Sequence, residues 1–262
     1  MMKKALVIVS FGTSFVNIIE TCIQPVEEAI ASLYPDYDHY RAFTSRFIVR
    51  KLKEKHQMQV DLPMELLEKL AKEGYETVVL QPTHVLAGIE YHQLKEEILI
   101  FASQHASMQI TFGQSLLYEN EDYPKVVKAL KESIPQPDIH EAVLLMGHGT
   151  EHFSNASYFA LQYYLHAEMG DKAYIATVEA APTLEDVIEA LKAHQVNHVY
   201  LAPFMLVAGD HAHHDMAGEA EDSWVNVLAR AGIRTTVILK GIGEYPAFRE
   251  LYMKKARKTD IK

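Results

Sequence analysis

The chain has 262 residues, enough for one large α/β domain or two small ones, each able to bury a core. Its 48% hydrophobic and 23% charged residues exclude a disordered chain, and a formal charge of −10 argues against a nucleic-acid footprint, which needs a basic patch. The single cysteine, Cys22, excludes an intramolecular disulfide framework and a thiolate-rich metal site, so a reducing cytoplasm is expected, and no apolar run is long enough to span a bilayer. The opening MMKK and ALVIVSF read as a first strand, not a signal peptide, because the run is short, lacks a small-residue cleavage site and ends in a glycine turn.

Residues 5–9 form that strand, and Ser10-Phe11-Gly12-Thr13-Ser14 is the loop after it. A helix follows over about 19–33 with Pro25 in its first turn, then a strand at 39–44 and a helix at 45–56 carrying the basic run Arg46, Arg50, Lys51, Lys53 and Lys55. Pro63 opens the next helix and Gly74 closes it. A strand at 77–80, a helix at 90–104, a strand at 108–112 and a helix at 123–133 lead to Pro135-Gln136-Pro137-Asp138, the expected linker. The alternation then repeats: strand 142–146, helix 155–168, strand 173–178, helix 184–194, strand 198–204, helix 220–231, strand 235–240 and helix 246–257. Strands alternating with helices predict right-handed crossovers and parallel sheets covered on both faces.

The halves also resemble each other in sequence. Ser10-Phe11-Gly12-Thr13 stands where Gly147-His148-Gly149-Thr150 stands, and VVLQPTHVLAGIEYH from Val78 parallels VYLAPFMLVAGDHAHH from Val199. Glu90 after Gly88 therefore takes the place of His211 after Gly209. Two paired motifs in the same order predict an internal duplication, with an α/β fold of two similar doubly wound parallel-sheet halves, residues 1–136 and 137–262, facing one cleft. The last helix, from about 246, is allowed to pack back on the first half.

The chemistry is expected at the carboxyl ends of strands in the second half, where ligands bind in open α/β sheets. His148 follows the strand 142–146, Glu179 ends the strand AYIATVE, and His211 opens a segment that also carries His213 and His214. Taken singly, each is an ordinary loop residue; delivered to one rim by three strands, they predict a shared metal site. HExxH, GxSxG and Walker-type phosphate loops are absent from the sequence.

SFGTS after the first strand, RAFTS at 41–45, MGHG at 146–149, the VE strand end and, above all, PFMLVAGDHAHHDMAGE with DSW at 222–224 closely resemble the anaerobic cobalt chelatases of the CbiK family. The resemblance runs in order along nearly the whole chain. It implies a class II, ATP-independent chelatase related in fold to ferrochelatase, which inserts Co2+ into sirohydrochlorin on the anaerobic route to cobalamin (vitamin B12). It further implies metal ligation by His148, Glu179 and His211; the one departure nearby is Ala180, where the family has serine after the glutamate.

On that reading His148 is also the catalytic base, since an unprotonated imidazole accepts a proton. Ser10, Phe11, Gly12, Glu90 and Met205 are the candidates for holding the macrocycle, with Arg46 or Arg50 and the backbone N–H groups after Ser10 as donors to its acidic side chains. No permanently bound cofactor is expected: cobalt is the substrate metal, with nickel or iron accepted in vitro. The expected partners are sirohydrochlorin and a divalent metal, with no nucleic acid and no membrane, and a homo-oligomer is compatible with the sequence. A metal or tetrapyrrole carrier without turnover would keep the same ligands.

Overall fold

The computed structural model describes residues 3–261. Alternation of strand and helix runs from one end to the other. The first part of the chain forms β1 (Lys3–Ser10), α1 (Val16–Ile18), a π-helical turn at Ile19–Ile23, α2 (Gln24–Ala31), β2 (Asp38–Phe43), α3 (Arg46–His56), α4 (Pro63–Lys72), β3 (Tyr75–Pro82), α5 (Ile89–Gln104) and β4 (Gln109–Gly113). The second part forms α6 (Asp122–Ser133), β5 (Glu141–Gly147), α7 (Ala156–Met169), β6 (Ala173–Thr177), α8 (Leu184–Ala193), β7 (His198–Pro203), α9 (Trp224–Arg230) and β8 (Arg234–Val237), followed by α10 (Pro246–Ala256) and β9 (Thr259–Ile261).

The strands make two sheets, ordered β2-β1-β3-β4-β9 and β6-β5-β7-β8. All pairings are parallel except that of β9, which adds antiparallel to the edge of β4 and lies beyond the expected final helix. Residues 5–10 of β1 and 142–147 of β5 are buried throughout, as central strands covered on both faces require, and this is why both read as unbroken apolar runs.

Contacts gather the chain into two units, Met1–Tyr118 with Arg249–Lys262 and Glu119–Phe248. The division falls ahead of the proline-rich break at 135–138, and so differs from the expected one after residue 136. The reason is α6: Tyr123 stacks on Tyr164 of α7 with ring centroids 5.5 Å apart, and Val126, Val127 and Leu130 are buried. Prolines ended a helix there, not a domain. The end of α10 belongs to the first unit, where the buried Tyr252 hydroxyl donates to the Thr83 carbonyl at 2.9 Å.

The duplication extends to individual hydrogen bonds. In the first unit Thr83 N–H donates to Val9 O, Thr44 to Ser10 O, Ser45 to Phe11 O and Leu116 to His84 O; in the second, Phe204 donates to Met146 O, Val178 to Gly147 O, Glu179 to His148 O and Ile242 to Met205 O. Gly12 and Gly149 both turn through positive φ, +99° and +85°, at the same step of their loops. Each sheet reverses its winding direction once, between β1 and β3 and between β5 and β7. The carboxyl ends at such a switch point leave a crevice where ligands bind. Among the described residues no helix is long and apolar enough to cross a membrane.

Candidate metal centre

The second sheet's switch point gathers the three residues singled out from the sequence. His148 follows β5, Glu179 stands two residues past β6, and His211 follows β7. One ligand atom from each lies within 4.8 Å of the other two. Ligands held about 2.1 Å from one divalent ion stand about 3–4 Å apart, a spacing that small side-chain rotations would bring these atoms to. The His148 and His211 rings meet edge to face with centroids 4.8 Å apart, and His148 Nδ1 lies 3.4 Å from Glu179 Oε2.

Local sequence explains the convergence. A Cβ on Gly149 would stand 2.8 Å from the Ala180 nitrogen, so only glycine lets the β5 loop lie against the β6 loop. The bond from Glu179 N–H to His148 O, 2.9 Å, then ties the two residues together through the backbone. Asn155 clamps the outer side: its side chain accepts from Thr150 N–H at 3.1 Å and donates to Ala181 O at 2.6 Å. Beneath the loop the Tyr158 phenol accepts from Gly149 N–H at 3.4 Å. Burial pushes that phenol's pKa up, and the backbone bonds pull the other way.

Hydrogen bonds also set the tautomers. His148 Nδ1 lies 2.9 Å from the Gly149 carbonyl, which can only accept, so Nδ1 carries the proton and Nε2 keeps the lone pair. His211 Nδ1 faces Asp215 Oδ2 at 2.6 Å, with the same result. Asp215 had no role in the sequence reading. Its position four residues after His211 was the available signal, but it becomes a contact only because residues 211–216 wind into a helical turn where a loop was expected. A carboxylate behind a ligating imidazole fixes the ring and raises its basicity. With His211 as a candidate ligand, Asp215→Asn is expected to weaken cobalt binding about 10- to 100-fold with the fold retained, as read by metal titration and circular dichroism.

The residues proposed to hold the macrocycle are placed differently from one another. Phe11 is half exposed at the end of β1, and Glu90 is exposed in the first turn of α5. The Ser10 hydroxyl is buried, 2.8 Å from Thr83 Oγ1, and Gly12 is packed on the Phe43 ring, so this loop offers a ligand its Phe11 side chain and its backbone. Met205 is partly buried and packs on the second unit's core. Arg46 and Arg50 are exposed on α3, where Arg50 sits 4.0 Å from Glu54.

Residues 4–261 match the family described as cobalt chelatase (CbiK). The chain belongs to the CbiK cobalt chelatase family. A curated relative, sirohydrochlorin cobaltochelatase of Salmonella typhimurium, is 38% identical over 96% of this chain and 94% of its own. Sirohydrochlorin cobaltochelatase CbiKC of Nitratidesulfovibrio vulgaris is 30% identical over 97% of this chain and 89% of its own. Among solved structures, SirB from Bacillus subtilis with Fe3+ superposes with a TM-score of 0.65 at 16% identity, covering 98% of this chain and 95% of that one. SirB of Bacillus subtilis subspecies spizizenii in complex with cobalt gives a TM-score of 0.64 at 16% identity, covering 98% and 94%. At that identity SirB bears on the fold of the chelatase, the two-sheet α/β architecture described above.

Proposed function

We propose that this chelatase inserts Co2+ into sirohydrochlorin without ATP, giving cobalt-sirohydrochlorin for cobalamin biosynthesis, with the metal held by His148, Glu179 and His211. The observation that carries the reading is the meeting of these three side chains at a switch point, in a chain that matches the cobalt chelatase family nearly end to end.

Insertion needs a metal that is held but releasable and a base for the two pyrrole protons. Two imidazoles and a carboxylate bind a borderline divalent ion without the thiolates that would retain it. Both imidazoles present Nε2 lone pairs, and Glu179 offsets the charge of the ion. His148 takes one pyrrole proton as the ion leaves it, ligation and proton transfer following in sequence on one ring, and the Glu179 carboxylate, freed in the same transfer, takes the second and passes it to solvent. All three side chains are partly or largely open to solvent, so the ion stays within reach of a ring. Phe11, the loop of Ser10 and Gly12, and Met205 supply apolar and backbone contacts to the macrocycle.

Mixing the apoprotein with sirohydrochlorin and excess cobalt and following the visible spectrum tests the reading. Many product molecules per chain are expected; one per chain, with no further change, would leave a carrier. The same assay with nickel and iron ranks the metals. Glu90 is read as a substrate-side residue, and Glu90→Gln is expected to slow turnover several-fold. Unchanged turnover and metal dependence would reduce Glu90 to a favourable charge at the start of α5, worth about 0.3–1 kcal/mol.

A further inference from the structure

Both ring nitrogens of His84 are shut off from water, and neither has a hydrogen-bond partner among the described residues. His84 sits just past β3, beside the first sheet's switch point, in the loop that leads to Glu90. Its backbone is pinned: Thr83 N–H bonds Val9 O at 2.8 Å, Leu116 N–H bonds His84 O at 2.9 Å and Leu117 N–H bonds Val85 O at 2.8 Å. The ring is therefore held in place by bonds that do not involve its own polar atoms.

An imidazole always offers at least one N–H donor, and in its neutral form an acceptor as well. Buried polar atoms in folded proteins are nearly always paired, because leaving them unpaired opposes folding. Packing does not demand an imidazole here. The second unit has Met205 at the corresponding place, pinned by the matching bonds from Phe204 N–H to Met146 O and from Ile242 N–H to Met205 O. One copy of the motif is thus satisfied with an apolar side chain while the other carries two unpaired nitrogens. Burial holds the His84 pKa down at about 4, opposed by the charge of Glu90, so the ring is neutral at neutral pH and keeps both donor and acceptor.

We infer that His84 is a hydrogen-bonding contact for the acidic tetrapyrrole, unpaired in the ligand-free chain and paired when a polar group of the macrocycle reaches the carboxyl edge of the first sheet. The inference rests on the proposed substrate and adds a residue that positions it. Part of the residue reaches the surface although its nitrogens do not, and a half-turn of the ring about Cβ–Cγ exchanges nitrogen for carbon positions without moving the pinned backbone.

The test is a metal-free titration of the protein with sirohydrochlorin, followed in the visible spectrum, alongside melting of the ligand-free protein. His84→Met is expected to melt no lower than the parent yet bind the macrocycle about 10-fold more weakly, the effect of one lost hydrogen bond. His84→Gln, which keeps a donor and an acceptor, is expected to recover part of that affinity. In steady state the loss should lie in KM, with kcat little changed. Equal affinity for parent and His84→Met overturns the inference while leaving the proposed function standing; a parent that binds no sirohydrochlorin overturns both. Ring-15N spectra of the parent, with His84 assigned through His84→Gln, decide the matter even if the methionine variant fails to fold. The His84 signals should move on adding sirohydrochlorin, and unmoved signals at saturation contradict the role.

Discussion

His148→Ala is expected to abolish cobalt insertion, with a fall in kcat of about a thousandfold or more, while leaving the fold intact. The side chain is nearly half exposed and its shortest contact is to the neighbouring Gly149 carbonyl, so little packing is lost and the melting curve should barely move. His211→Ala should behave differently. It removes a proposed ligand backed by Asp215 but not the proposed base, so its defect should lie in metal loading and be relieved in part by high cobalt. Rates against cobalt concentration for the two variants, with circular dichroism as the control, check the contrast. If His148→Ala turned over like the parent at saturating cobalt, its role as base would be lost and only the ligand would remain.

Acid is expected to weaken the fold itself, and His84 is the main identified cause. In the folded chain burial lowers its pKa from 6.5 to about 4, so the unfolded chain takes up the proton first. Stability is then fully present above the unfolded value, falls as pH drops from about 6.5 to about 4, and levels off once both states are protonated; the loss from this one residue comes to about 3 kcal/mol. Chemical denaturation at a series of pH values measures the slope. His84→Met should flatten the curve across that window, whereas a variant as acid-sensitive as the parent would place the cause elsewhere.

Strand periodicity carried most of the fold. The apolar runs at β1 and β5 read as buried strands, and the paired loops SFGT and GHGT announced a repeat that the structure continues in matching backbone bonds. The meeting of His148, Glu179 and His211 was legible because three successive strand ends of one parallel sheet share an edge, whatever the loops do in detail. What escaped depended on tertiary packing. Tyr123 reads as part of the helix before a proline-rich break, and only its stacking on Tyr164 assigns α6 to the second unit. Asp215 has no visible partner until residues 211–216 coil, and Ser10 looks like an exposed loop hydroxyl until Thr83 is brought to it from a different strand. The antiparallel β9 follows a long helix and spans three residues, too few for a period to register.

The most direct test of the account is where cobalt sits in crystals of the protein soaked with Co2+, located by anomalous scattering at the cobalt edge. A single strong peak in contact with His148 and His211 through Nε2 and with a carboxylate oxygen of Glu179 is the predicted result. Cobalt bound elsewhere, with these three side chains empty at saturating metal, would contradict it.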